Sequence, residues 1–245
     1  MPIINGTQIL GTEYKNLNGN QILGTEYETL EEIANTLGVR TTDFHLKSQF
    51  YNEKCERYEL KIVDGCIKGV YLTGSKLKNI SEELINNLIS LTDLQELEFG
   101  TNNPIYFYKN ELESLPESIG ELENLQYLGL RGNRLTSLPE SIGELKKLQK
   151  LDLSLNELTS LPESMGELIN LQELYLMNNN LKSLSESMSN LKELQILDLR
   201  VNYLTSLRES IGELTNLRKL DLWANQLKNI PKSIGKITNL RELYK

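Results

Sequence analysis

The stretch at 69–76 is the part of the chain that most resembles a chemical motif. Its residues, Gly69-Val70-Tyr71-Leu72-Thr73-Gly74-Ser75-Lys76, approach a phosphate-binding loop, in which lysine directly follows the second glycine and opens a helix. Here Ser75 separates Gly74 from Lys76, and Val70 to Leu72 alternates as a strand does. The sequence therefore does not predict nucleotide binding.

Other catalytic or metal-binding patterns are missing from the sequence. The single histidine, His45, has no cluster of cysteines or histidines around it that would bind a metal ion. There is no Gly-x-Ser-x-Gly elbow and no His-Glu-x-x-His helix motif. We expect no cofactor, no metal and no enzymatic activity.

Composition and charge exclude several classes of partner. The 245 residues are 39% hydrophobic and 24% charged, with a formal net charge of −8. Such a chain does not attract phosphate backbones or anionic lipid, so we expect neither nucleic acid nor a membrane as the ligand. The first residues lack the basic and apolar regions of a signal peptide, and two cysteines are too few for a disulfide framework. These features predict a cytoplasmic protein.

A period of 23 residues organises the second half of the chain. Its leucines recur at Leu125, Leu148, Leu171, Leu194, Leu217 and Leu240, each but the last with leucines three and five positions later. An asparagine follows at Asn133, Asn156, Asn179, Asn202 and Asn225. The alternation L-x-L predicts a short strand with one buried face, and such strands must stack to cover their leucines.

The segment after each asparagine predicts the return half of the repeat. In Leu138-Pro139-Glu140-Ser141-Ile142-Gly143-Glu144-Leu145, apolar residues three and four apart suit one turn of 3₁₀ or α helix that proline opens. The asparagine lies where the chain turns out of the strand. A ladder of these amides is expected to satisfy backbone groups in the turn.

The repeat resembles the leucine-rich repeat family. LQYLGLRGNRLTSLPESIGELKK matches the pattern LxxLxLxxNxLxxLPxxIGxLxx, in the version typical of Ras-group and of bacterial and archaeal intracellular proteins. The resemblance implies an α/β fold: a right-handed solenoid, or horseshoe, with a parallel concave sheet and short 3₁₀ or α turns on the convex side. It also implies a scaffold that binds another protein, by analogy a small GTPase or another signalling protein.

The first half of the chain predicts a cap on this solenoid. Residues 28–38 form an amphipathic helix, and Asp64-Gly65 joins two strands in a hairpin that covers the first repeat. We therefore divide the chain into a duplicated lead-in segment at 1–27, a helix and hairpin cap at 28–69, and repeats at 70–245. After a degenerate first repeat beginning at Val70, Ser81 is placed to cap a helix that reaches about Ile89.

An insertion near 100–110 interrupts the period. From Leu94 to Leu125 is eight residues more than one repeat, and the segment contains an Asn103-Pro104 turn signal. The strand at this level is predicted either at 97–99 or at 105–107, because both stretches fit the pattern.

The residues between the strand leucines are expected to face the concave side, where a partner would bind. Those suited to an interface are Tyr127, Arg131, Asp152, Leu155, Tyr175, Met177, Ile196, Asp198, Arg200, Asp221 and Trp223. Aromatic residues and arginines dominate the binding energy of protein interfaces, and the aspartates suit a partner with a few basic residues. Some of the aromatics are alternatively explained by packing on one another.

Two further features bear on function. The column Glu117, Glu140, Glu163, Glu186, Glu209 on the convex side is interpreted as a solvated face. The chain stops inside a new repeat, at Tyr244-Lys245, so an alternative function is the recognition arm of a larger enzyme or receptor.

Overall fold

The computed structural model describes residues 3–4, 7–8, 14–17, 20–37, 41, 44–46, 57–64, 66–73, 80–100 and 111–245. The first half contains β1 (Ile3–Ile4), β2 (Thr7–Gln8), β3 (Tyr14–Leu17), β4 (Asn20–Leu23), α1 (Gly24–Leu37), β5 (Phe44–Leu46), β6 (Arg57–Val63), β7 (Cys66–Thr73) and α2 (Glu82–Ile89). The strands of the repeats are β8 (Glu96–Glu98), β9 (Tyr127–Gly129), β10 (Lys150–Asp152), β11 (Glu173–Tyr175), β12 (Ile196–Asp198), β13 (Lys219–Asp221) and β14 (Glu242–Tyr244). The 3₁₀ helices are Glu117–Glu121, Glu140–Glu144, Glu163–Glu167, Glu186–Asn190, Glu209–Glu213 and Lys232–Lys236.

Strands β5 to β14 form one sheet whose order in space follows the order in sequence. Neighbouring strands are parallel except for β6 and β7, which pair antiparallel as a hairpin. From β9 onwards each strand pairs with the equivalent residues of the next repeat, so that Lys150 lies opposite Glu173 and Tyr127. The predicted solenoid, with its parallel sheet, short 3₁₀ turns and helix and hairpin cap, is confirmed.

The leucine columns form a continuous core along the solenoid. Leu128 and Leu130 in one repeat, and Leu151 and Leu153 in the next, are fully buried. Each such side chain contributes roughly 1.5–3 kcal/mol by leaving water, and stacking is what removes both of its sides from solvent.

The asparagines form the expected ladder. Asn156 donates through Nδ2 to the carbonyls of Leu130 and Leu153, at 2.9 and 3.0 Å, and its Oδ1 accepts from the backbone N–H of Leu135 at 3.1 Å. Asn179 repeats these bonds one turn later. Each amide therefore links two repeats and satisfies backbone groups that the turn would leave buried and unpaired.

The convex side has its own ladder, which the sequence interpretation missed. Glu140 accepts from the backbone N–H of Ser164 at 3.2 Å, and Glu209 accepts from that of Ser233 at 3.0 Å. Each carboxylate thus caps the first turn of the next 3₁₀ helix, where N–H groups lack helical partners. Three members of the solvated glutamate column, Glu117, Glu140 and Glu209, therefore also have a structural role.

The cap packs on the first strands of the sheet. Helix α1 begins at Gly24, earlier than the amphipathic pattern predicts, and its Glu26 carboxylate accepts from the backbone N–H of Ile67 in β7 at 2.6 Å. Ser81 caps α2 by accepting from the N–H of Leu84 at 3.1 Å, as predicted. The division into lead-in, cap and repeats stays a prediction.

The strand register near the insertion is settled by pairing. Strand β8 pairs directly with β9, with Leu97 opposite Leu128, so the strand of this repeat is Glu96–Glu98. The alternative at 105–107 lies in 101–110, outside the described residues.

Within the described ranges, neither α-helix is long and apolar enough to cross a membrane. The same ranges contain no group of three or more histidine, cysteine, aspartate or glutamate side chains placed to hold a metal ion.

Candidate functional site

Parallel pairing aligns the concave side chains in columns that run across the repeats. The first column is Glu96, Tyr127, Lys150, Glu173, Ile196, Lys219, Glu242, and the second is Glu98, Gly129, Asp152, Tyr175, Asp198, Asp221, Tyr244. A third column, two residues after each strand's end, holds Arg131, Ser154, Met177, Arg200 and Trp223. Because residues two apart in a strand share a face, all three columns lie on the concave side.

One group of these side chains, which we name the tyrosine cluster, consists of Tyr127, Lys150, Glu173 and Tyr175. The Lys150 ammonium lies 3.0 Å from Glu173, 5.2 Å from the Tyr175 ring centre and 5.9 Å from that of Tyr127. The Tyr175 hydroxyl donates to Glu173 at 2.9 Å. Burial, and then this hydrogen bond to a carboxylate, raise the pKa of Tyr175, so its hydroxyl stays protonated.

Tyr127 also fills the space above a glycine. A Cβ atom built on Gly129 would lie 2.5 Å from the Tyr127 hydroxyl, so the tyrosine occupies the place that a side chain of the second column would take. Gly69 and Tyr71 repeat this arrangement in β7. The side chains of the tyrosine cluster thus pack on one another, and Lys150, Glu173 and Tyr175 pair their polar groups.

A second group, which we name the arginine cluster, consists of Asp198, Arg200 and Asp221. The Arg200 Nε donates to Asp198 Oδ1 at 2.9 Å and lies 3.5 Å from Asp221 Oδ2. Each aspartate also accepts a backbone N–H two residues ahead, Asp198 from Arg200 at 3.1 Å and Asp221 from Trp223 at 3.2 Å. Hydrogen bonding to Asp198 raises the pKa of Arg200 and fixes the direction of its guanidinium.

Beside the arginine cluster lies an exposed apolar patch, the aromatic rim, made of Val201, Tyr203 and Trp223. Their exposed fractions are 37%, 50% and 58%, and the backbone N–H of Val201 donates to the carbonyl of Trp223 at 2.9 Å. Tyr203 is absent from the predicted site. The signal for Tyr203 was its position after the ladder asparagine, which is otherwise polar, as at Arg134, Glu157, Asn180 and Gln226.

The remaining predicted residues have different surroundings. Arg131, Asp152, Met177 and Ile196 are partly buried in their columns, and Asp152 accepts from the N–H of Ser154 at 2.9 Å. Leu155 has φ 59°, and Val201 has φ 54°, which is the left-handed region. Both precede a ladder asparagine, as does Gly132 with φ 72°. Leu155 therefore lies in the turn after β10 and not in the strand itself.

Comparisons with known proteins agree with this geometry. The profile described as a leucine-rich repeat region matches residues 109–198, and the one described as a leucine rich repeat matches 192–244. The chain belongs to the leucine-rich repeat family. Folds of this family generally mediate protein–protein interaction. A comparison with curated proteins finds no match.

Solved leucine-rich repeat structures share the fold over much of the chain. A leucine-rich repeat protein of Leptospira interrogans is 34% identical with TM-score 0.53, covering 69% of this chain and 52% of its own. An internalin of Listeria monocytogenes is 25% identical with TM-score 0.54, covering 64% and 43%. The Arabidopsis receptor kinase HAESA, solved with a peptide hormone and a co-receptor, is 25% identical with TM-score 0.56, covering 76% and 35%. The chain thus spans about half or less of the length of these structures.

Proposed function

We propose that this leucine-rich repeat protein is a scaffold that binds a protein partner through the C-terminal half of its concave face. The observation that carries the proposal is an exposed apolar surface beside the arginine cluster, in which Trp223 and Tyr203 are 58% and 50% exposed. Exposed tryptophan beside a fixed arginine is typical of residues that dominate interface energy.

The tyrosine cluster and the aromatic rim differ in how much side-chain surface they leave free to contact a partner. In the tyrosine cluster, Lys150, Glu173 and Tyr175 contact one another, so a partner would have to break those contacts. The aromatic rim stands in solvent, and Arg200 keeps 41% of its side chain exposed after pairing with Asp198. Binding at the rim therefore removes apolar surface from water with little rearrangement, which favours affinity.

Two separate arguments point to a class of partner, one from a solved structure of the same fold and one from the sequence resemblance. The HAESA structure contains a peptide hormone and a co-receptor, which supports a protein or peptide ligand for the fold. A small GTPase and a signalling role rest on the sequence resemblance, and a cytoplasmic location stays an expectation from the sequence, which has two cysteines. The recognition arm of a larger enzyme or receptor stays the second candidate, and the likeness to the receptor kinase HAESA, of whose structure the chain covers 35%, supports it.

A pull-down from cell lysate tests the proposal. The bait is the full chain, compared with a triple variant of the aromatic rim, Val201→Ala, Tyr203→Ala and Trp223→Ala, and both are checked for folding by circular dichroism. The matched control is Ile169→Ala, because Ile169 is 57% exposed but lies in the turn after a 3₁₀ helix, away from the sheet. We expect a partner that the full chain and the control retain and the triple variant loses. If the triple variant captures the partner as well as the full chain does, the aromatic rim is not the binding surface.

A second variant separates the two halves of the face. Tyr127→Ala with Tyr175→Ala removes the tyrosine cluster and leaves Trp223 in place. Retention of the partner by this variant assigns binding to the rim, whereas its loss, with the fold intact, would assign binding to the tyrosine cluster.

A further inference from the structure

The arginine cluster contains more acid than base. Asp198 and Asp221 are 5% and 6% exposed, and both point their carboxylates at one guanidinium, that of Arg200. The first-column cation on β13, Lys219, pairs with Glu242 at 3.1 Å and interacts with Asp221 through its charge alone. The cluster therefore holds two nearly buried negative charges against one positive charge, and a buried charge without a full partner is costly.

The backbone explains the aspartates but not the excess charge. Each accepts an N–H at the end of its strand, a role that an asparagine oxygen fills equally well. Asp152 has the same role towards Ser154, although no tryptophan follows it in its repeat. What is particular to β12 and β13 is two carboxylates placed side by side, with Asp198 opposite Asp221 in the sheet.

An exposed aromatic surface borders this negative charge. The backbone N–H of Trp223 donates to the Asp221 carboxylate, and the backbone carbonyl of Trp223 accepts from the backbone N–H of Val201. The backbone of Trp223 therefore holds the carboxylate, the indole and Val201 close together. The face of an exposed indole attracts a cation within about 6 Å of its ring centre, most often arginine. The chain's formal net charge of −8 adds a long-range attraction for a basic partner.

We propose that this surface binds a basic segment of a partner protein, whose arginine stacks on Trp223 and directs its guanidinium to Asp221, because both oxygens of Asp198 already accept from Arg200. An apolar neighbour of that arginine packs on Val201 and Tyr203. The inference rests on the proposed function and specifies the chemistry of the partner. In this arrangement Arg200 pairs with Asp198 and the partner's arginine pairs with Asp221, so each carboxylate has its own cation.

Intrinsic fluorescence tests this directly, because Trp223 is the only tryptophan of the chain. The full protein is titrated with the peptide acetyl-Leu-Arg-Leu-Arg-Leu-amide, and with matched peptides in which citrulline or glutamate replaces arginine. Citrulline keeps the shape and removes the charge. We expect a saturable change in Trp223 emission with the arginine peptide, an affinity lower by about tenfold with citrulline, and no binding with glutamate. The affinity for the arginine peptide is expected to fall as salt is added.

Two variants assign the charge. Asp221→Asn keeps an oxygen for the N–H of Trp223 and removes the carboxylate, and it should weaken arginine-peptide binding by about tenfold. Asp152→Asn makes the same change in β10, away from the rim, and should leave binding unchanged. Equal binding of the citrulline peptide, unchanged binding by Asp221→Asn, or no saturable emission change with the arginine peptide would overturn the inference.

The lysate experiment distinguishes failure of the inference from failure of the proposed function. If Trp223→Ala abolishes capture of a partner but Asp221→Asn does not reduce it, the aromatic rim binds a protein and the proposal of a basic segment is wrong. If neither variant changes what is captured, both proposals fail.

Discussion

A Cβ atom built on Gly120 would lie 2.5 Å from the carbonyl oxygen of Ser141, the residue that packs on it from the next repeat. The glycines at 143, 166 and 212 meet the serine of the following repeat in the same way. At these four levels the convex spacing is therefore set by a backbone-to-glycine contact that leaves no room for a side chain, whereas Ser189 takes the equivalent position in the 3₁₀ helix Glu186–Asn190.

Gly120→Ala is predicted to destabilise the protein by roughly 1–3 kcal/mol, because an alanine methyl would force the two repeats apart. The free energy of unfolding in urea measures the effect. Gly235→Ala is the matched control, since nothing lies within 4 Å of a Cβ there. If both variants lose the same stability, close packing at Gly120 is not the cause.

The left-handed position before each ladder asparagine gives a second prediction. Val201 has φ 54°, and a β-branched residue is strained in that region, whereas Asn178 holds the equivalent position with φ 57°. Val201→Asn should therefore raise the free energy of unfolding by about 1 kcal/mol, and Asn178→Val should lower it by a similar amount. Thermal and urea unfolding of the two variants check the sign. The same direction for both would contradict backbone strain as the cause.

The repeat architecture was predictable because its signal is summed over many repeats. The L-x-L alternation and the asparagine column each recur at 23-residue steps, and tertiary stacking follows since one strand cannot bury its leucines alone. The boundaries of the cap were less predictable. Helix α1 extends back to Gly24, beyond the amphipathic pattern that the sequence places at 28–38.

The candidate site was predictable in its columns but not in its contacts. Sequence indicates that Tyr127 faces the concave side, but not that it covers Gly129, because that depends on a rotamer and a neighbouring gap. Likewise Asp198 and Asp221 were predicted to face a partner, and their bonds to backbone N–H groups and to Arg200 arise only from the three-dimensional arrangement.

The asparagine ladder predicts a graded loss of stability. Asn156 is buried and its amide bonds to Leu130, Leu153 and Leu135, so Asn156→Ala leaves several backbone groups unpaired, each costing about 1–3 kcal/mol. Asn225 makes three equivalent bonds but is only partly buried, so water replaces some of them in Asn225→Ala. We expect the larger loss of unfolding free energy at Asn156. A larger loss at Asn225 would show that burial does not set the cost.

The cap contains a carboxylate whose ionisation opposes folding. Burial raises the pKa of Glu26, and the nearby Asp93 adds to this, while the hydrogen bond from Ile67 and the charge of Lys68 act in the opposite direction. Because the folded state binds the Glu26 proton more tightly than the unfolded state, the stability this group contributes is complete below the ordinary glutamate pKa of about 4.3. It is lost as the pH rises through the raised pKa.

Glu26→Gln should remove this dependence while keeping an oxygen for the N–H of Ile67. The difference in unfolding free energy between variant and original protein is expected to shift in favour of the variant as the pH rises from about 4 to 7, since only the original must ionise a buried group. Urea unfolding at a series of pH values measures that difference, in which other titrating groups such as Glu209 cancel. Hydrogen exchange of the Ile67 amide reports the cap separately. A difference that stays constant with pH would mean that Glu26 titrates at its ordinary pKa and does not oppose folding of the cap.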